Sequence, residues 1–523
     1  MLTLVVIATG CPGGSGEIGA ACGNNGDCSS ALQCLANRCQ PRCTHAPDCG
    51  DGYACDQDGL CHQAVGHDGD RCVSETECAA GFSCRPADNA DETSHLVGNC
   101  IKDHSAALAG ARCASNNECR NGTCALGRCV DLCLVDSDCA SGEKCWDLPS
   151  VTVSNAMLHG CLPEHGAVSF DVPVDPVLHQ AVIPAPKGAA SVSLVMTVDD
   201  PSLTVGATRI AAPDGTRIYN RPCASALQKC LPTEENDEYF GNPQRHTPAL
   251  GQSVLSIPSG TTLPVNTGLY TVDVAAQMPD GSPSLAPVHA TAVVRLDEGT
   301  ALDLHFFFLD LADHPCQDTI GPQKLNASTA PYMATFQDHF LSDLSAAFTR
   351  VQISVNAASY EDVLDHPSLD GLDLSRVGDL LKLGKYATGI NVFFVRSLSP
   401  AGVQAYSPNP GPAGLAGTPG SGIVIGLDTL CYRSWQEVSH LAAHEIARYM
   451  GLYHNAEIGY GPVDQPIHPT WRDQIMTDND IGTDPAANLM FYAEPLSSGQ
   501  VPKITDGQRS ILVRSAVLRS GGQ

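Results

Sequence analysis

Residues 444–454 read His-Glu-Ile-Ala-Arg-Tyr-Met-Gly-Leu-Tyr-His. Against the pattern HExxHxxGxxH they match four of the five fixed positions, at His444, Glu445, Gly451 and His454. Imidazoles at this spacing share a divalent metal from one helical face, and an adjacent carboxylate takes a proton from metal-bound water. The chemistry in question is metal-assisted hydrolysis. The fifth position holds Arg448 in place of a histidine. A guanidinium has no lone pair to give and keeps its charge, so it either repels a metal ion or points away and leaves two ligands. His440 is the substitute on the same stripe, because His440, His444 and Arg448 stand at i, i+4 and i+8. A site built on His440 and His444 lies one turn back, about 6 Å farther from the glycine turn that brings in His454. His366, Asp464 and His468 have no spacing that marks them as ligands and read as loop residues.

The helix that must carry these groups opens at Ser434-Trp435-Gln436-Glu437, a capping box, and stops at Gly451. Strands and helices alternate before it. Leu302, Leu304, Phe306 and Phe308 alternate along one strand, and Met333, Phe336, Phe340, Leu344 and Ala347 follow helical spacing. Further strands are expected at 352–358, 390–395 and 423–427, with a short helix near 375–383. The Pro- and Gly-rich stretch 397–421 reads as a long surface loop. Residues 301–523 therefore read as an α/β domain. Asn488-Leu489-Met490-Phe491 follows about 35 residues beyond the motif.

The motif helix, Gly451-Leu452-Tyr453-His454 and the turn at Met490 together resemble the pappalysin-like metzincin metalloproteases and related lipoproteins of Gram-negative bacteria. The resemblance covers 301–523. It implies a metzincin-like α/β fold, His444 and His454 as zinc ligands, Glu445 as general base and Met490 as the methionine-turn residue. Arg448 stands where the family has its second histidine, so zinc is expected to bind weakly or not at all.

Upstream the composition changes. The chain has 25 cysteines, and 21 of them lie between Cys11 and Cys161. From Cys22 they repeat in five units of four: Cys22, Cys28, Cys34, Cys39; Cys43, Cys49, Cys55, Cys61; Cys72, Cys78, Cys84, Cys100; Cys113, Cys119, Cys124, Cys129; and Cys133, Cys139, Cys145, Cys161. Gly, Asn, Asp and Ser fill the gaps, so such units cannot build an apolar core and disulfides take its place. A zinc reading fits less well, because thiolates do not survive in an exported segment. The pattern over 22–161 resembles EB and Dickkopf N-terminal modules, which implies interaction rather than chemistry. Before it, the apolar run ending Ala8-Thr9-Gly10-Cys11 resembles a bacterial lipoprotein signal, with Cys11 acylated and 12–19 as a tether. Between 165 and 300, alternating runs such as Val192, Leu194, Met196 and Val198 are divided by turns such as Pro213-Asp214-Gly215, as in an antiparallel β-sandwich. That stretch resembles the jelly-roll accessory domains of secreted bacterial peptidases. Cys223 and Cys230 are spaced to staple one loop, which leaves Cys316 and Cys431 to pair with each other.

The organisation expected is multidomain: signal and tether at 1–20, disulfide-rich small modules at 21–164, a β-sandwich at 165–300 and a metzincin-like domain at 301–523. A net charge of −28 disfavours nucleic acid and anionic lipid as partners. No apolar run is long enough to span a bilayer, so contact with a membrane is expected only through the N-terminal lipid. The expected protein is extracytoplasmic, at the outer membrane or cell surface or secreted. It carries a catalytically impaired peptidase-like domain and acts by binding a protein or peptide. The alternatives are an active zinc endopeptidase with a replacement ligand, and an adhesion or structural lipoprotein.

Overall fold

The computed structural model describes most of residues 20–520; outside the described residues lie chiefly 1–19, 42–52, 56–60, 64–68, 91–95, 151–155, 222–241, 310–313, 455–486, 492–501 and 521–523. Cys11, Cys223, Cys230, Asp464 and His468 fall in those stretches. The chain divides into two compact units, Met1–Pro163 and Glu164–Gln523.

The first unit is a series of short hairpins, and one rule generates each. The third and fourth cysteines of every four face each other across two antiparallel strands, as at Cys34 and Cys39, Cys84 and Cys100, Cys124 and Cys129, and Cys145 and Cys161. Where the disulfides are described, the two do not bond to one another. The third joins the first (Cys72–Cys84, Cys113–Cys124, Cys133–Cys145), and the fourth joins the second (Cys28–Cys39, Cys78–Cys100, Cys119–Cys129, Cys139–Cys161). In three units a side chain three residues before the second cysteine fixes the crossing. Glu75, Asn116 and Asp136 accept the backbone N–H of Cys84, Cys124 and Cys145 at 2.9–3.0 Å. Many of the buried residues are the half-cystines themselves, Cys39, Cys84, Cys100 and Cys133 among them. Disulfides in this number belong to an oxidising environment. Among the described residues no helix is long and apolar enough to cross a membrane.

The second unit begins with two antiparallel sheets. Strands β1 (Ala167–Val172), β2 (Gln180–Ala185), β3 (Ser191–Thr197), β4 (Thr204–Ala211), β5 (Arg217–Asn220), β6 (Gln252–Ile257), β7 (Gly268–Gln277) and β8 (His289–Arg295) form the orders β1-β8-β3-β6 and β2-β7-β4-β5. The expected antiparallel strands are there, joined by four that alternation did not single out, β1, β2, β4 and β5. One buried imidazole joins the sheets. His246 Nε2 accepts the N–H of Ala207 on β4 at 2.9 Å, beside a register shift, while Nδ1 lies 3.2 Å from the Val254 carbonyl on β6. A carbonyl only accepts, so Nδ1 carries the proton and the ring is neutral. Burial pushes its pKa down to about 4.

A mixed sheet follows, built from β9 (Ala301–Leu309), β10 (Ser354–Val363), β11 (Ile390–Val395), β12 (Ala405–Tyr406), β13 (Ile423–Gly426) and β14 (Leu518–Arg519). Its order is β10-β9-β11-β13-β12, parallel except at β12, with β14 added antiparallel to β9. Strand β9 is the strand expected from the alternation of Leu302, Leu304, Phe306 and Phe308, and it is covered on both faces. Phe306, Phe307 and Phe308 are all buried, because a central parallel strand is covered on both faces. Phe307 stacks on Phe393 on one side, while Phe306 and Phe308 meet Phe336 and Phe394 on the other. Phe336 and Phe340 lie on a π-helical segment, Thr335–Leu341, that continues into helix α1 (Ser342–Thr349). The stretch 397–421 is not the plain loop its composition suggests, since it contains β12, the antiparallel edge of the sheet.

The antiparallel sheets and the mixed sheet share buried polar contacts. Arg295 of β8, almost wholly buried, donates to the Leu518 carbonyl and pairs with Asp297 at 3.0 Å. Ser191 of β3 donates to the Arg514 carbonyl at 2.6 Å. Cys316 and Cys431 are bonded, as expected from elimination, across 115 residues of chain.

Two outcomes follow. Replacing Cys316 and Cys431 together by serine should cost about 2–5 kcal/mol, because the bond closes a long loop in the unfolded chain. An unchanged midpoint in chemical denaturation would refute that. For His246, the unfolded imidazole protonates near 6.5 and the folded one only near 4. Stability is therefore complete above about pH 6.5 and falls, by on the order of 3 kcal/mol, as the pH drops toward 4. His246→Gln should flatten the denaturation midpoint against pH in that window, and an identical slope in both proteins would count against the assignment.

Candidate functional site

Helix α2 (Trp435–Tyr449) carries the motif, and its ends are fixed separately. At the start, Ser434 and Glu437 form the capping box read from the sequence. Trp435 plugs the same end, its indole N–H donating to the Thr319 carbonyl at 3.0 Å and its ring edge-on to Phe336 and Phe340. Ser439 donates to the Phe340 carbonyl at 2.9 Å, one turn further on. At the far end Gly451 takes φ +107°, and the Leu452 N–H returns to the Ala447 carbonyl at 3.0 Å. A Cβ on Gly451 would meet only Ile511, at 3.7 Å, so backbone conformation rather than space calls for glycine here.

That turn brings His454 back to the helix. His454 Nε2 lies 3.2 Å from His444 Nε2. The other nitrogen of His444, Nδ1, is 2.7 Å from the Leu489 carbonyl. The Nδ1 proton is therefore committed to Leu489, and Nε2 presents its lone pair to His454. Burial pushes the His444 pKa down to about 4, which agrees with a neutral ring. The carbonyl that orients His444 belongs to the turn at 488–491. Met490 is fully buried there, its N–H held by Asn488 at 2.9 Å. Asn488 and Gln508 exchange two side-chain hydrogen bonds at 2.9 and 3.0 Å, tying the turn to helix α3 (Asp506–Leu512).

Glu445 is nearly buried, and one of its oxygens is occupied. Ser407 donates its hydroxyl to Oε2, and Arg448 Nη1 stands 3.6 Å from the same atom. Ser407, just past β12, was not read as a site residue. No motif marks it, and only the pairing of β12 with β13 brings it over the helix. Tyr406, next to it, has its hydroxyl pKa raised by burial, with Arg448 and Glu445 acting in opposite directions. A cavity of about 270 Å³ opens here, lined by His440, His444, Glu445, Arg448 and His454, with 402–405 and 488–489 as further walls. His440 is 2% exposed, and neither ring nitrogen has a hydrogen-bond partner. His366, by contrast, caps a short turn (Pro367–Leu369) and lines no part of the cavity.

These residues do not fit a zinc ion of the three-ligand kind. His444 and His454 are close enough to share one, but a guanidinium holds the third position. Among the described residues, every group of three or more ligand atoms that converges within 4.8 Å is made of cysteines, so His440 does not complete a triad with His444 and His454.

No family model matches the chain, and no curated protein matches it. Among solved structures it is similar to mirolysin in complex with compound 9, at 13% identity and a TM-score of 0.27, over 42% of this chain and 96% of that one. It is similar to Tannerella forsythia mature mirolysin in complex with a cleaved peptide, at 12% identity, a TM-score of 0.26 and the same coverage. A chaperone–substrate complex matches at 9% identity and a TM-score of 0.21, over 46% of this chain and 36% of that one. Likenesses of this size leave any functional reading to the residues of the site itself.

Proposed function

We propose that residues 301–523 form a metalloprotease-like domain that binds a protein or peptide ligand and whose hydrolytic machinery is impaired by Arg448. The observation that carries this reading is the contact at Glu445. The carboxylate placed to act as base accepts from Ser407 and faces a guanidinium at 3.6 Å, where hydrolysis would need a metal-bound water. Ligand binding is favoured by β12, which among the described residues is an edge strand beside the cavity, since an edge strand can pair with an extended chain. The zinc-peptidase alternative is favoured by one feature, the 3.2 Å approach of His444 and His454.

Metal analysis of the full chain should find zinc well below one equivalent, with no chelator-sensitive cleavage of an unfolded test protein. Arg448→His should raise zinc affinity, since it returns an imidazole to the ligand face. Stoichiometric zinc together with chelator-sensitive cleavage by the unaltered protein would sink the proposal in favour of a replacement ligand. Ala substitution of His440 would then test the first candidate.

The disulfide-dense first unit and the Ala8-Thr9-Gly10-Cys11 stretch support an exported chain anchored through Cys11. Cys11 lies outside the described residues. Mass spectrometry of the mature protein should find Cys11 acylated, and a mature N-terminus elsewhere with Cys11 in a disulfide would count against the anchor.

A further inference from the structure

The cavity holds more hydrogen-bond donors than its own residues use. Arg448 carries five N–H groups, and the acceptor facing it is Glu445 at 3.6 Å, a charge contact too long for a hydrogen bond. Its Nε is buried with no partner, and the side chain as a whole is 26% exposed. His440, whose ring nitrogens are unpartnered but buried, backs the same wall. The terminal nitrogens of Arg448, which are not buried in this way, have no hydrogen-bonded acceptor and can be paired by an anion that enters the cavity.

We infer that the cavity is a carboxylate-recognition site in which Arg448 receives the C-terminal carboxylate of a bound peptide. This rests on the reading of the domain as a non-hydrolytic peptide binder. A carboxylate offers two coplanar acceptors that match one edge of a guanidinium fork. The charge contact with Glu445 is too long for a hydrogen bond and Nε is buried, so the edge formed by the two terminal nitrogens is the one left for a ligand. A C-terminal carboxylate is favoured because residues 402–405, leading into β12, form one wall of the cavity. A chain added to that edge is led to Arg448, and a volume of about 270 Å³ suits a terminal residue better than a chain passing through. Ser407, by holding Glu445, keeps the competing carboxylate in place at the floor.

The test uses the full chain with a chelator present and three fluorescein-labelled random decapeptide pools. One lacks Asp and Glu and ends in a free acid, the second is the same pool amidated, and the third is amidated but contains Asp and Glu. Fluorescence anisotropy should show the free-acid pool binding about tenfold or more tighter than the matching amide. Arg448→Gln should erase that difference while leaving weak amide binding. Glu445→Gln should tighten free-acid binding, because it removes the internal competitor. If the third pool equals the first, the carboxylate chemistry stands and its source widens to acidic side chains. Equal binding of acid and amide, or a preference that survives Arg448→Gln, overturns the inference alone. Cleavage of the peptides overturns the non-hydrolytic reading but leaves an acid preference standing, and binding of no pool overturns both.

Discussion

Helix α2 is clamped at one end by an aromatic plug and at the other by a glycine turn, and the groups of the cavity depend on both. Trp435 fixes the start of the helix against Phe336 and Phe340. Gly451 fixes the direction in which the chain leaves it. Between these points the helical repeat alone sets where His440, His444, Glu445 and Arg448 project. His454 lies 3.2 Å from His444 because the backbone at Gly451 takes a conformation that other residues rarely adopt. The disulfide from Cys316 to Cys431 and the hydrogen bond from Trp435 to Thr319 act on the same segment, so the N-terminal clamp is covalent as well as packed.

Two different physical solutions hold this chain together. In the first unit the hairpins are too small to bury much apolar surface, so cross-bonded cysteines constrain the unfolded state instead. The same acceptor, three residues before the second cysteine, recurs in three units and makes the crossing reproducible. In the second unit an apolar core forms, with a cluster of phenylalanines covered on both faces of β9. Buried polar groups there do a different job, which is to fix how layers meet. His246 joins two antiparallel sheets, and Arg295 joins one of them to the C-terminal segment.

The departure at Arg448 has a consistent local environment. Arg448, Ser407 and Glu445 make a small polar cluster whose partners come from a helix and from the loop after an edge strand. A guanidinium brings one positive charge and a planar set of donors, whereas a metal ion brings a Lewis acid and open coordination positions. A site of the first kind suits holding an anion, and a site of the second kind suits polarising a carbonyl.

Much of this was legible in the residues. The capping box at Ser434, the stop at Gly451, the strand at Ile390–Val395 and the Cys316–Cys431 pair all follow from local rules or from counting. So does the break at Arg448, because ligand spacing on a helix is a property of sequence. What only the tertiary structure decided is where distant segments meet. Strand β12 lies in a stretch whose Pro and Gly content signals a loop, and two residues are too few to show alternation; its pairing with β13 defines it. Ser407 has no motif, and its hydrogen bond to Glu445 spans 38 residues. The proton position on His444 is set by a carbonyl 45 residues away. The pairing of first with third and second with fourth cysteines could not be read from their spacing, because spacing permits several connectivities and hairpin register selects one. Sequence determines which groups a helix presents, since its geometry repeats every few residues; long-range packing decides which of their hydrogen-bonding positions are filled, since those partners lie far along the chain.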